Sequence, residues 1–253
     1  GAQNGQPFFS MDYVDGRSLA ELTQSGPLPA RLAARYLKTI AEAVQYAHAH
    51  GVLHRDLKPS NILIDDADQP RITDFGLAKR LDDSQLSTLN PQLTITGQVL
   101  GSPNFMSPEQ AAGDRHAVGP ASDVYSLGAV LYQLLAGRPP FVAETMTQTL
   151  RLVAETEPVA PRLLNPGVPR DLETVCLKCL QKEPSRRYAT AQGLADDLGR
   201  YLKDEPIRAR PVAAAEKLSR FLRRHPAISG LSLLVSLLII AVTVVSTVSA
   251  IRL

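Results

Sequence analysis

The stretch His54-Arg55-Asp56-Leu57-Lys58-Pro59-Ser60-Asn61 decides how this chain is read. It sets an acid, a lysine and an amide within six residues, from Asp56 to Asn61. A regular helix would spread such close neighbours around its circumference, so a loop must carry them if they are to aim at one point. A carboxylate, an ammonium and a hard amide oxygen in one loop suit a site that handles phosphate and a divalent metal.

Three further motifs follow in order. Asp74-Phe75-Gly76 begins thirteen residues after Asn61, then come Ser107-Pro108-Glu109 and Asp123-Val124-Tyr125-Ser126-Leu127-Gly128. Four motifs in this order and at about these separations resemble the protein kinase family, where one alone would be a weak signal. The resemblance runs from Pro7 to about Leu202 and is nearest in kind to the membrane-anchored, receptor-type serine/threonine kinases of bacteria. It implies an α+β fold: a mainly helical C-terminal lobe preceded by a remnant N-lobe strand and hinge. It also implies ATP and Mg²⁺ as cofactors and proteins as substrates. Asp56 would orient a hydroxyl nucleophile, Lys58 would neutralise the transferring phosphoryl group, and Asn61 and Asp74 would grip the metal. Lys58 in Asp-Leu-Lys-Pro-Ser-Asn matches the branch that acts on serine and threonine.

Ahead of the loop, Asn4-Gly5 is a hairpin turn signal and Pro7 to Met11 reads as a short strand. The resemblance puts Met11 at the back of an adenine pocket and makes Asp12 to Val14 a hinge, with the Asp12 carbonyl and the Val14 amide as adenine contacts. Ser18 either lies near the ribose or caps the next short helix. Pro29 to His50 carries a helical stripe of Leu32, Tyr36, Leu37, Ile40, Val44 and Ala47, closed by Gly51. After Asn61, Ile62 to Ile64 reads as a buried strand, with Leu63 expected under the adenine ring. Asp65 and Asp66 start a turn, and Arg71 to Thr73 returns as a second strand.

Leu77 to Ser107 has little periodicity and many hydroxyls, as an activation segment would. Thr94 and Thr96 stand at the spacing of autophosphorylated threonines in the resembling kinases, or are polar loop residues. Arg55 is the cation that such a phosphate would meet. Ser102 matches a hydroxyl that contacts the catalytic acid. Glu109 needs a buried cation, for which Arg187 is the family's partner, and Asp123 is expected to hold the catalytic-loop backbone. Cys176 and Cys179 fall on an apolar helical pattern and are expected to pack as small hydrophobes. Helical patterns also cover Asp123 to Leu135, Thr145 to Glu155, Arg170 to Leu180 and Ala189 to Leu202.

The expected organisation is a last N-lobe strand and hinge over 1–14, a helical lobe over 15–202, a juxtamembrane linker and basic helix over 203–226, and a span over 227–251. The 227–251 stretch holds no charged residue. At helical rise it reaches roughly 37 Å, enough to cross a bilayer core of about 30 Å with some tilt. Lys217, Arg220, Arg223 and Arg224 precede it, favouring a cytoplasmic lobe on a single-pass protein of the cell membrane. That basic run serves as a topology signal or as a contact with anionic lipid in the bilayer. A net charge of +2 gives no reason to expect a nucleic-acid partner. A homodimer would serve autophosphorylation. No glycine-rich phosphate loop is present, and the first lysine is Lys38. The chain therefore reads as a piece of a longer kinase that by itself binds ATP poorly.

Overall fold

A computed structural model describes residues 13–75, 103–114 and 116–209, together with the backbone of two short strands near the start. Those strands, β1 (Ala2–Gln3) and β2 (Gln6–Pro7), pair antiparallel, with Gln3 opposite Gln6. The strand expected over Pro7 to Met11 thus starts one residue earlier, and residues 8–12, with Met11 and Asp12, lie outside the described region.

β3 (Gly16–Ser18), β4 (Ile62–Asp65) and β5 (Pro70–Ile72) form one antiparallel sheet in the order β3-β4-β5. Ser18 faces Leu63 across the first pair and Ile62 faces Ile72 across the second. The turn between β4 and β5 is held by Asp65, whose carboxylate accepts from the Ala67 and Gln69 amides at 3.0 and 2.9 Å and from Arg71 Nε at 2.8 Å. Ser18 ends the strand and caps α1 (Leu19–Leu22). Its Oγ accepts from the Glu21 amide, and the Glu21 carboxylate accepts from the Ser18 amide. This reciprocal cap leaves the hydroxyl proton of Ser18 on Glu21 at 3.1 Å.

The helical mass is built on α2 (Ala30–Ala49). Ala33, Tyr36, Leu37, Ile40, Ala41 and Val44 recur at helical spacing and are buried, so one stripe of α2 faces the core. Gly51 (φ +73°) turns the chain out of this helix toward the His54 loop. Then come α3 (Pro108–Ala111), α4 (Pro120–Ala136), α5 (Met146–Glu155), α6 (Pro161–Leu164), α7 (Arg170–Cys179) and α8 (Ala191–Leu202). The helix expected from Asp123 starts three residues earlier, because Pro120 suits a first helical turn that needs no amide donor.

α4 is buried along nearly its whole length, from Ser122 through Leu135, and is the central helix against which α2, α7 and α8 pack. Burying each of its large aliphatic side chains contributes about 1.5–3 kcal/mol. Close approach of α4 to α7 depends on Gly128: a Cβ there would stand 2.4 Å from the Cys179 Cβ. Gly128→Ala should therefore lower stability by about 1–3 kcal/mol, the usual cost of overpacking, and urea denaturation would measure it. Cys176 and Cys179 are free and fully buried, and burial pushes both thiols up and away from thiolate chemistry. They pack as small apolar groups.

Packing continues past Leu202. Ile207 is buried, and Asp197, fully enclosed on α8, accepts from the amides of Arg208 and Ala209 at 2.7 and 2.9 Å and from the Tyr188 hydroxyl at 2.9 Å. Among the described residues no helix is long and apolar enough to cross a membrane; the 227–251 stretch lies outside them.

Candidate active site

The His54 to Asn61 loop leaves α2 and enters β4 through a 3-10 turn at Pro59–Asn61. Its backbone is fixed from below by Asp123, near the start of α4. Asp123 Oδ2 accepts from the His54 amide at 2.9 Å, and Oδ1 accepts from the Arg55 amide at 2.8 Å. A third donor is His48 Nε2, 2.7 Å from Oδ2. Since a carboxylate only accepts, that nitrogen carries a proton, and the buried Nδ1 has no hydrogen-bond partner among the described residues. The anchor lets Arg55 hold a left-handed backbone, φ +68°, which a non-glycine residue keeps only where its surroundings enforce it.

Above this anchor the three loop side chains meet. Lys58 Nζ lies 2.8 Å from Asp56 Oδ2. Asn61 Nδ2 lies 2.9 Å from the Asp56 carbonyl and 3.3 Å from Oδ2. Asp56 Oδ1 takes no hydrogen bond among the described residues. With its NH₂ group turned to Asp56, Asn61 is left with Oδ1 as a hard oxygen acceptor, met among the described residues only by Ser60 Oγ at 3.5 Å.

Asp74 follows directly on the end of the hairpin. The Asn61 carbonyl accepts from the Thr73 amide at 2.9 Å, so the β4-β5 ladder continues to the residue before Asp74. Asp74 itself sits at φ +59° and is exposed. His54 ties the two halves together. Its Nε2 donates to the Thr73 carbonyl at 3.0 Å, and its Nδ1 accepts from the Asp56 amide at 3.3 Å. That pattern requires the neutral ring, and burial holds the His54 pKa below its ordinary value. Phe75 packs against it with the rings tilted, 4.7 Å between ring centres.

The Ser107-Pro108-Glu109 motif is fixed by a buried ion pair. Arg187 Nη1 and Nη2 grip Glu109 Oε1 and Oε2 at 2.7 and 2.8 Å, while Ser122 Oγ donates to Oε1 at 2.6 Å. The remaining guanidinium protons go to the carbonyls of Gln181, Lys182 and Ala121 at 2.8, 2.8 and 2.9 Å. The guanidinium carbon also lies 5.0 Å from the centre of the Tyr125 ring.

Of the residues singled out for nucleotide binding, Val14 and Leu63 are half-buried and Ser18 serves as the cap. Met11, Asp12, Thr94, Thr96 and Ser102 lie outside the described residues. Sequence reasoning missed His48 and Gln110. His48 lies four residues after Val44 on the apolar stripe of α2, a polar residue where an apolar one belongs. Gln110 lies three after Ser107, the spacing of a capping box.

A separate cleft of about 450 Å³ opens at the far end of the β4-β5 hairpin, among Asp15, Arg17, Tyr36 and the Asp65 to Asp68 turn. Two of its carboxylates already have partners: Asp65 as above, and Asp68 with Arg35 and the Tyr36 hydroxyl. No cluster of three or more His, Cys, Asp or Glu among the described residues could hold a metal by itself.

Residues 2–198 match the protein kinase domain family. The chain is 37% identical over 215 residues to the serine/threonine-protein kinase PknB of Mycobacterium tuberculosis, an alignment covering 84% of this chain and 33% of that protein. It is 38% identical over 192 residues to the serine/threonine-protein kinase PrkC of Bacillus subtilis, covering 76% of this chain and 28% of PrkC. The chain thus spans about a third of the length of the curated relatives it matches. With the family match running across both the Asp56 loop and the Glu109-Arg187 pair, this chain belongs to the protein kinase domain family.

Proposed function

We propose that the full-length protein is a membrane-anchored serine/threonine protein kinase, transferring the γ-phosphoryl group of Mg·ATP to serine and threonine hydroxyls of proteins. The observation that carries this reading is the meeting of Lys58 and Asn61 on one oxygen of Asp56, with the other oxygen taking no hydrogen bond among the described residues and able to face a substrate hydroxyl.

In this reading Asp56 Oδ1 accepts the hydroxyl hydrogen bond and aims the oxygen lone pair at the γ-phosphorus. Lys58, already beside Asp56, extends its ammonium toward the oxygens of the group in transit. Most of the rate then comes from positioning and charge neutralisation. Two hard oxygens, Asn61 Oδ1 and the Asp74 carboxylate, suit Mg²⁺, which is held by few protein groups when phosphates supply the rest. Held there, Mg²⁺ would supply positive charge to offset what develops on the phosphate oxygens. Adenine contacts at Met11, Asp12, Val14 and Leu63 rest on the resemblance to the family.

Arg55 supports a phosphorylation-controlled segment, since its guanidinium makes no hydrogen bond or ion pair among the described residues. A phosphate on Thr94 or Thr96 would meet it, and two copies of the protein acting on each other would supply that phosphate. Membrane anchoring rests on the uncharged 227–251 stretch and on Lys217, Arg220, Arg223 and Arg224 before it.

The test is direct. Purified full-length protein incubated with Mg·ATP labelled at the γ position, then hydrolysed, should yield labelled phosphoserine or phosphothreonine. Absence of label on the protein and on a general acceptor such as casein sinks the reading and leaves a kinase-fold scaffold.

A further inference from the structure

We infer that Gln110 is a positioning residue for Asp56, coupling the Ser107-Pro108-Glu109 segment to the strained backbone of the catalytic loop. The inference rests on the kinase reading above only for its consequence in rate.

Both ends of the Gln110 amide are engaged. Oε1 accepts from the Ser107 amide at 3.1 Å and from Ser107 Oγ at 3.2 Å, closing the cap of α3. Nε2 donates to the Arg55 carbonyl at 2.7 Å, across 55 positions of sequence. The orientation of the amide follows from chemistry. A backbone N–H can only donate and a carbonyl can only accept, so Oε1 must face Ser107 and Nε2 must face Arg55.

Arg55 therefore has its amide held by Asp123 and its carbonyl held by Gln110. These two bonds fix the flanking peptide groups of a residue at φ +68°, a conformation the backbone leaves when released. The peptide whose carbonyl Gln110 holds is the one that continues into Asp56. A rotation of that peptide swings the Asp56 carboxylate away from where Lys58 and Asn61 meet it. Asp123 sits in the rigid core on α4, whereas Gln110 sits on the short helix that terminates the segment rich in serine and threonine hydroxyls. Of these two bonds, the one from Gln110 is therefore placed to pass the state of that segment to the loop.

Gln110→Glu separates the two duties of this side chain. Glutamate still accepts from Ser107, as in an ordinary capping box, but turns an oxygen against the Arg55 carbonyl. In the full-length protein, Gln110→Glu should keep its melting temperature within about 2 °C while kcat falls roughly tenfold, the equivalent of one ordinary hydrogen bond. KM for ATP should stay within about twofold, because the nucleotide contacts are untouched. Gln110→Ala loses both duties and should show the same fall in kcat with a lower melting temperature. In this chain alone, amide hydrogen exchange at Arg55 and Asp56 should speed up roughly tenfold in Gln110→Glu.

A Gln110→Glu protein with kcat within twofold of wild type and unchanged exchange at Arg55 and Asp56 overturns the inference. An inactive wild type would refute the kinase reading instead, and the exchange measurement would still decide whether Gln110 clamps the loop.

Discussion

Asp56→Asn in the full-length protein should lower phosphoryl transfer on the order of 10²- to 10⁴-fold, the range that a positioned proton acceptor supplies. The substitution preserves size and shape, so the fold should survive it. Asp56 is held through backbone groups that asparagine keeps: its amide on His54 Nδ1 and its carbonyl under Asn61 Nδ2. The side-chain link to Lys58 is partly exposed, and pairs of that kind contribute little to stability. What changes is chemical. A neutral amide oxygen accepts a hydroxyl hydrogen bond weakly and cannot take a proton, and Lys58 loses the charge that holds it in place. Steady-state assay with a peptide acceptor, set beside a thermal melt, separates rate from folding. A variant that retains a tenth or more of wild-type kcat would remove Asp56 from the reaction.

Removing Arg187 should act on the fold. Arg187 is almost fully enclosed, and each of its five N–H groups has a partner: two on Glu109, one each on the carbonyls of Gln181, Lys182 and Ala121. Arg187→Ala leaves a buried carboxylate without its counter-charge and three carbonyls without donors. Loss of one member of such a pair costs about 3–5 kcal/mol, a large part of the stability of any domain. Lysine would not restore it, since a single ammonium cannot fork onto both Glu109 oxygens while serving three carbonyls. Urea denaturation followed by far-ultraviolet circular dichroism gives the number, and a loss under about 1 kcal/mol would contradict the geometry.

The same pair has a pH signature. Burial pushes the Glu109 carboxyl up, but hydrogen bonds from Arg187 and Ser122 more than reverse this and hold it below its ordinary value. The unfolded chain therefore binds the proton more readily than the folded one. The contribution is fully present above the unfolded value, about 4.3, and is lost as pH falls through the folded one. Glu109→Gln should flatten that acid limb relative to wild type.

Local signals account for much of the architecture. The stripe from Tyr36 to Val44 states which side of α2 is buried, because a helix repeats every 3.6 residues wherever it packs. The strongly apolar stretch from Val124 to Leu135, interrupted by Ser126, Gly128 and Gln133, marks α4 as central, since a helix with so little polar surface is most stable inside. The order of four motifs was enough to recognise the family, and the Ser18 cap was readable as one of two alternatives.

Other features were beyond any local pattern. Asp123 meets His48, His54 and Arg55 across 75, 69 and 68 positions, and nothing in a linear pattern says which donors the helix and the loop will bring to one carboxylate. The left-handed backbones of Arg55 and Asp74 carry no glycine to announce them. They exist because long-range hydrogen bonds outweigh the local preference. The bond from Gln110 to Arg55 is of the same kind.

By itself, the order of residues determined which types of group this protein would bring to its loop, and which faces of its helices would be hidden, because both are properties of short segments. The tertiary structure alone decided that Asp56, Lys58 and Asn61 share one point, and that Asp123 and Gln110 grip the backbone beneath them. Those contacts depend on how whole helices pack, and packing sums small preferences over the entire lobe before any one hydrogen bond can form.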